Sequence, residues 1–167
     1  RRVLFRSALA GFSLGGNFAL RVALRAPAAG IPLATAVAVC PALHPPAVLE
    51  AIEGAPWFYH AYFMLKWRGS LRRKRRLFPD AVRLDARDLR ADMRTLTRTM
   101  VERHTEFGSL DAYLEGYSIS GDHLAALEVP ASILTAADDP IIPVEHFRAL
   151  RLAPGTELDI APTGGHC

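Results

Sequence analysis

The stretch Gly11-Phe12-Ser13-Leu14-Gly15-Gly16-Asn17 constrains the fold more than any other part of the chain. It reads as G-x-S-x-G, between an apolar run (Ala8-Leu9-Ala10) and an amphipathic one (Phe18 to Leu24). Strand, sharp turn and helix follow one another in such a context, and a serine at the tip of the turn presents its hydroxyl away from the backbone. Glycines two residues before and after Ser13 are expected to let strand and helix pass close together. The next backbone N–H, that of Leu14, is the expected donor to an oxyanion formed when Ser13 attacks a carbonyl. Five-residue glycine–serine patterns also arise by chance, so the motif needs partners elsewhere.

Two later segments supply them. Ile133-Leu134-Thr135-Ala136-Ala137-Asp138-Asp139-Pro140 reads as an apolar strand ending in an acidic turn. Thr163-Gly164-Gly165-His166 follows a second short strand, Glu157 to Ala161. Ser, then Asp, then His is one of the chain orders in which the nucleophile–base–acid triad recurs, with acid and base on loops after late strands. Either member of the Asp138-Asp139 pair could serve as the acid; the other would cap the turn, as Asp often does.

Taken together, G-F-S-L-G-G-N, T-A-A-D-D-P-I-I-P and G-G-H resemble the YheT-like branch of the α/β-hydrolases, related to the ABHD proteins. Glu106-Phe107 and Tyr113 to Ser120 resemble that family's cap region, with Gly108 where the family usually has Asp, and Tyr113-Leu114 and Ser118-Ile119-Ser120 in place of its Tyr and Ser doublets. The resemblance runs from Ala8 to Cys167. It implies carboxylic-ester hydrolysis without a cofactor, with Ser13, Asp139 and His166 as catalytic residues and Leu14 in the oxyanion hole. Asp139 takes the acid role because it stands directly before Pro140, as in the family's acid loop.

The coarse layout agrees with an α/β class. Asn17 to Ala26 reads as a helix, with Phe18, Val22 and Ala23 on its apolar face. Leu33 to Cys40 is a continuous apolar run, as in a parallel strand buried on both faces. Ala131 to Ala136 and Glu157 to Ala161 complete the strands, and Val144 to Arg151 reads as a crossover helix with Phe147 and Leu150 facing the sheet. Residues 41–126 contain no convincing strand. Pro46–Glu53, Trp57–Arg76, Asp85–Arg103 and Ser109–Tyr117 read as helices, an insertion too long for an ordinary connection. The expected architecture is a partial α/β-hydrolase fold: a parallel sheet with a helical cap, 41–126, inserted between strands. Trp57, Phe58, Tyr59, Tyr62, Phe63 and Met64 are read as cap core, or else as a wall of an acyl-chain pocket.

At 167 residues the chain fits one domain by length, yet the resemblance makes it the C-terminal part of one, with the second oxyanion donor expected upstream. Arg1 to Ser7 matches a common sequencing adapter in translation and is read as an artefact joined to the true frame. Setting aside Arg1, Arg2 and Arg6 removes the formal charge of +3, so the charge balance argues for no polyanionic partner. Only Lys66 and Lys74 among the 20 Lys and Arg residues are lysine, read as GC-rich, bacterial coding.

The basic run Arg72-Arg73-Lys74-Arg75-Arg76 reads first as the solvated end of a helix, where cations are favoured by the dipole. A nucleic-acid role lacks accompanying base-stacking aromatics, whereas peripheral contact with an anionic membrane would suit a lipid-ester substrate. Cys40 and Cys167 show no disulfide or metal-ligand spacing; Cys40 reads as a small buried hydrophobe. No metal is expected. His44 could approach a pocket, while His60, His104, His123 and His146 read as structural or solvated.

No apolar run reaches membrane-spanning length, and a cytoplasmic location is expected. The expected partner is a small-molecule or lipid ester. Two alternatives remain: an acyltransferase using the same triad with an alcohol in place of water, and a non-catalytic binding protein on the same fold.

Overall fold

Alternating apolar strands and helices in this chain resolve into parallel crossovers. The structure, a computed structural model, describes residues 7–167. The adapter-like segment lies outside the described residues except for Ser7. Among the described residues four strands form one sheet: β1 (Ser7–Phe12), β2 (Leu33–Val39), β3 (Ala131–Ala136) and β4 (Thr156–Ala161). Their spatial order is β1-β2-β3-β4 and every pairing is parallel. Parallel neighbours in chain order place all four C-terminal ends on the same side of the sheet, where ligands bind in open α/β sheets. The registers Phe12↔Val39 and Val39↔Leu134 align the ends of β1, β2 and β3.

Helix α1 (Leu14–Arg25) connects β1 to β2, and its packing face differs from expectation. Ala23 is buried, but Phe18 and Val22 are exposed and line a groove with Ile31, Arg21 and Arg25. The buried face is Gly16, Ala19, Leu20 and Ala23, an i, i+3, i+4, i+7 set made mostly of small residues. Gly16 sets this face. A Cβ there would stand 3.1 Å from both the Gly11 oxygen and the Pro41 side chain, so the helix docks closely where a larger residue would push its neighbours aside by a few tenths of an ångström. The large side chains are thereby turned outward.

The chain divides into two compact units. The first runs to Val48 and resumes at Tyr117; the second is Leu49–Gly116. The second unit lies between β2 and β3 in sequence and is helical, as expected. Helix α2 (Pro45–Gly54) leads into it, followed by α3 (Trp57–Leu77), a 3-10 turn at Asp88–Arg90, α4 (Met93–His104) and α5 (Leu110–Glu115). The single helix expected over Asp85–Arg103 is broken. Asp85 accepts from the N–H groups of Arg87 and Asp88, and Asp92 caps α4 by accepting from Thr95 N–H at 2.7 Å. Each aspartate offers the backbone a partner that competes with helix continuation.

The aromatic cluster of α3 is not a core. Met64 and Leu71 are buried, but Trp57, Phe58 and Tyr62 are more than half exposed. At 100° per residue, Met64 and Leu71 share one face, whereas Phe58, Tyr62 and Leu65 share another, so one packing partner cannot cover both. Phe63 and Trp67 instead line a shallow, open groove with Ile52, Lys66, Met93 and Thr97. The basic run at the end of α3 is mostly solvated, as expected, with Arg75 donating to the Leu84 carbonyl. Among the described residues no helix is long and apolar enough to cross a membrane.

In the first unit, α6 (Val144–Arg148) connects β3 to β4 and is shorter than expected. Phe147 is buried within it, while Leu150 lies beyond the helix end and is half-buried.

Candidate active site

Ser13 stands between the last residue of β1 and the first of α1 with φ +50°, the left-handed region that non-glycine residues rarely occupy. The turn is held by Ser13 N–H donating to Val39 O at 2.8 Å. Gly11 makes it sterically feasible: any Cβ there would collide with the backbone carbonyl of Gly15. Gly15 itself faces open space, so the close approach depends on Gly11 and Gly16, and not on both outer glycines of the G-x-S-x-G pattern. Leu14 is the first residue of α1, and its N–H therefore has no acceptor inside the helix.

The loops after β3 and β4 bring the other two expected residues to Ser13. His166 Nε2 is 3.1 Å from Ser13 Oγ, and His166 Nδ1 is 2.8 Å from Asp139 Oδ2. With the ring proton on Nδ1, the imidazole donates to Asp139 and accepts from the serine hydroxyl. The second carboxylate oxygen of Asp139 accepts from Ile141 and Ile142 N–H at 2.8 and 3.0 Å. Burial pushes this carboxyl upward, but the bonds from His166, Ile142 and Ile141 together outweigh it and hold the group below its ordinary pKa. Asp139 is therefore ionised at neutral pH, with one oxygen fixed and the other facing the ring.

Asp138 has a different task from the one expected. Its Oδ1 accepts from both Gly164 and Gly165 N–H at 2.9 Å, so it caps the histidine loop rather than its own turn. Gly165 has φ +67°, and its backbone geometry lets two successive N–H groups converge on one oxygen. The two aspartates thus divide the work: one places the loop, the other places the ring.

Asn17 carries no expected role in the sequence, yet it is fully buried. Its Nδ2 donates to the carbonyls of Ala42 and Tyr117 at 2.7 and 2.8 Å, tying the start of α1 to two loops. A polar residue on the otherwise apolar Gly16–Leu20 face of this helix is the available signal. Replacing it with Leu leaves two carbonyls unpaired and is expected to cost about 2–4 kcal/mol in urea unfolding of the full-length protein. An unchanged urea midpoint would show that these bonds contribute nothing.

His44 stacks on His146, their centroids 4.7 Å apart, and burial followed by the repulsion of His44 lowers the pKa of His146. The Ser118–Ser120 segment is structural: Ser118 Oγ and Ile119 N–H both donate to Leu43 O. Cys40 is buried, as expected, but it is not remote from the site. Its thiol lies with Asp139 and His166 in a group whose ligand atoms are all within 4.8 Å of one another. Burial, then a contact with Cys167, pushes the Cys40 thiol up to about 11, so it is protonated at neutral pH. No sequence spacing announced this group, because each member comes from a different strand end.

The fold agrees with the comparisons. A profile described as "Alpha/beta hydrolase family" matches residues 2–167. The chain belongs to the α/β-hydrolase family. Among solved structures, an α/β fold family hydrolase from Bacillus anthracis is 15% identical, with 96% of this chain aligned to 61% of that one at a TM-score of 0.53. The monoacylglycerol lipase of Paleococcus ferrophilus is 19% identical over 97% of this chain and 60% of its own, at a TM-score of 0.47. Mouse α/β hydrolase domain-containing protein 10 is 14% identical over 99% of this chain and 56% of its own, at a TM-score of 0.43. The chain therefore spans about three fifths of the length of these structures. A search of curated proteins finds no match.

Proposed function

We propose that this protein is a serine hydrolase acting on carboxylic esters through an acyl-enzyme. The observation that carries the reading is the continuous chain of hydrogen-bonding distances from Ser13 Oγ through His166 to Asp139. Ser13 Oγ attacks the ester carbonyl and passes its proton to His166 Nε2. The Leu14 N–H donates to the oxyanion of the tetrahedral intermediate. His166 returns the proton to the departing alcohol, leaving the acyl group on Ser13. Water then attacks under the same base, and the free acid leaves. Asp139 keeps the imidazole in the tautomer that accepts the serine proton and stabilises the imidazolium that follows.

The finer assignment to the YheT-like branch rests on G-F-S-L-G-G-N, the D-D-P-I-I-P turn and G-G-H. The helical segment between β2 and β3 is the candidate cap of such an enzyme. The exposed Phe58, Tyr62 and Leu65 of α3, followed by its basic run, suit an acyl chain or a lipid surface. No cofactor takes part. The test is hydrolysis of p-nitrophenyl esters of graded acyl length by the full-length protein. A Ser13-dependent release of alcohol is expected, whereas turnover that survives Ser13→Ala would contradict the reading.

A further inference from the structure

The loops that assemble the triad also gather two thiols that the ester chemistry does not use. Cys40 follows β2, Asp139 follows β3, and His166 and Cys167 follow β4, so adjacent strand ends bring Cys40, Asp139 and His166 together, with Cys167 beside Cys40. The ligand atoms of Cys40, Asp139 and His166 lie within 4.8 Å of one another. Cys167 Sγ sits 3.7 Å from Val39 O, next to Cys40, and the two thiols are in side-chain contact.

We propose that Cys40, Cys167, Asp139 and His166 form a binding site for zinc, and that its occupancy switches off the base at His166. Zinc takes four ligands tetrahedrally at about 2.3 Å to sulfur and about 2.0–2.2 Å to nitrogen or oxygen, which sets ligand atoms roughly 3.3–3.8 Å apart. Cys40, Asp139 and His166 need only small adjustments to reach that spacing, the 2.8 Å His166–Asp139 pair opening slightly and the outer atoms closing, while Cys167, in contact with Cys40 but outside that 4.8 Å group, turns inward as the fourth ligand. Two thiolates, an imidazole and a carboxylate are a donor set for zinc rather than for calcium or magnesium, which require oxygen ligands. The buried thiol gives up its proton on coordination, because a bound metal ion deprotonates a ligating thiol. Asp139 keeps Oδ1 on the Ile141 and Ile142 N–H groups and offers Oδ2 alone.

The consequence for His166 follows from its two nitrogens. Zinc takes the Nδ1 lone pair, so the proton of the neutral ring resides on Nε2. Nε2 then faces Ser13 as a donor and cannot accept the hydroxyl proton. The inhibitory half of the proposal rests on the hydrolase reading; the binding half does not.

The test titrates metal-free full-length protein, kept reduced by a non-thiol reductant, with cobalt(II) as a spectroscopic stand-in for zinc. One equivalent of cobalt is expected to give thiolate-to-cobalt charge-transfer absorption, and zinc is expected to remove it stoichiometrically. Cys40→Ser and Cys167→Ser should each weaken binding by more than the roughly 10–100-fold that follows loss of a mere supporting hydrogen bond to a ligand. Cys167 is exposed, so its substitution tests the site even where Cys40→Ser impairs folding. The second readout is the ratio of fluorophosphonate labelling rates at Ser13 with and without zinc. It should fall toward zero at saturation in the unsubstituted protein and approach one in both cysteine variants. Absence of the charge-transfer band, or a band and a zinc effect unchanged in both variants, overturns the proposal. A protein that binds cobalt as described but is never labelled at Ser13 sinks the hydrolase reading while sustaining the metal site.

Discussion

Asp139→Asn is expected to lower kcat for ester hydrolysis by about 10⁴, the loss seen when the equivalent substitution is made in a serine-protease triad. The reason lies in the hydrogen-bond pattern around the carboxylate. Oδ1 is held by two backbone N–H groups, so the amide would keep its oxygen there and turn its NH2 toward His166. The imidazole would then accept at Nδ1 and carry its proton on Nε2, the wrong tautomer for a base. Asp138→Asn keeps an acceptor oxygen for Gly164 and Gly165 and should stay within about tenfold of the parent, the scale of a modest weakening of one hydrogen-bonded contact. Steady-state kinetics on both variants of the full-length protein decide the matter. A larger loss at Asp138 than at Asp139 would reverse the assignment of the pair. Stability should follow the same carboxylate. Folding lowers the pKa of Asp139, so its contribution is present above the unfolded value and is lost as pH falls through the folded one.

The convergence of Ser13, Asp139 and His166 was legible because these residues sit at strand ends that punctuation marks clearly. Glycines bracket Ser13, Pro140 follows Asp139, and Gly164-Gly165 precede His166. Each cue is local and backbone-driven, and parallel pairing in chain order brings the three together without any further signal. The strands were legible because runs such as Leu33 to Val39 carry no charge, but the expected burial on both faces is not seen: within that strand only Ala36 and Ala38 are buried, and Leu33, Thr35, Val37 and Val39 are half-buried.

Two differences concern side chains whose burial depends on what lies opposite. Phe18 and Val22 looked like a packing face because they are large, yet α1 docks through Gly16, Ala19 and Ala23, where smallness allows approach. The α3 aromatics looked like core because they are dense, although a helix cannot bury Phe58 and Met64 against one partner. The helix expected over Asp85–Arg103 missed the cap at Asp92, because helix-forming residues flank it. The Cys40 cluster was invisible because metal-ligand spacing is a sequence signal only when the ligands share a loop or helix. Asp138 was read as serving its own turn, since nothing local points to a loop more than twenty residues further along.

The central claim is that Ser13 is the nucleophile of an acyl-enzyme. Its most direct test is the reaction of the full-length protein with a fluorophosphonate, followed by mass spectrometry of the peptide spanning Gly11 to Arg21. The expected result is one covalent adduct on Ser13, formed in step with loss of esterase activity and absent in Ser13→Ala, whose hydrolysis falls to background. The elbow, the 3.1 Å Nε2 to Oγ contact and the ionised Asp139 all lead to that outcome. An adduct on a different residue, or ester turnover undiminished in Ser13→Ala, would contradict the account.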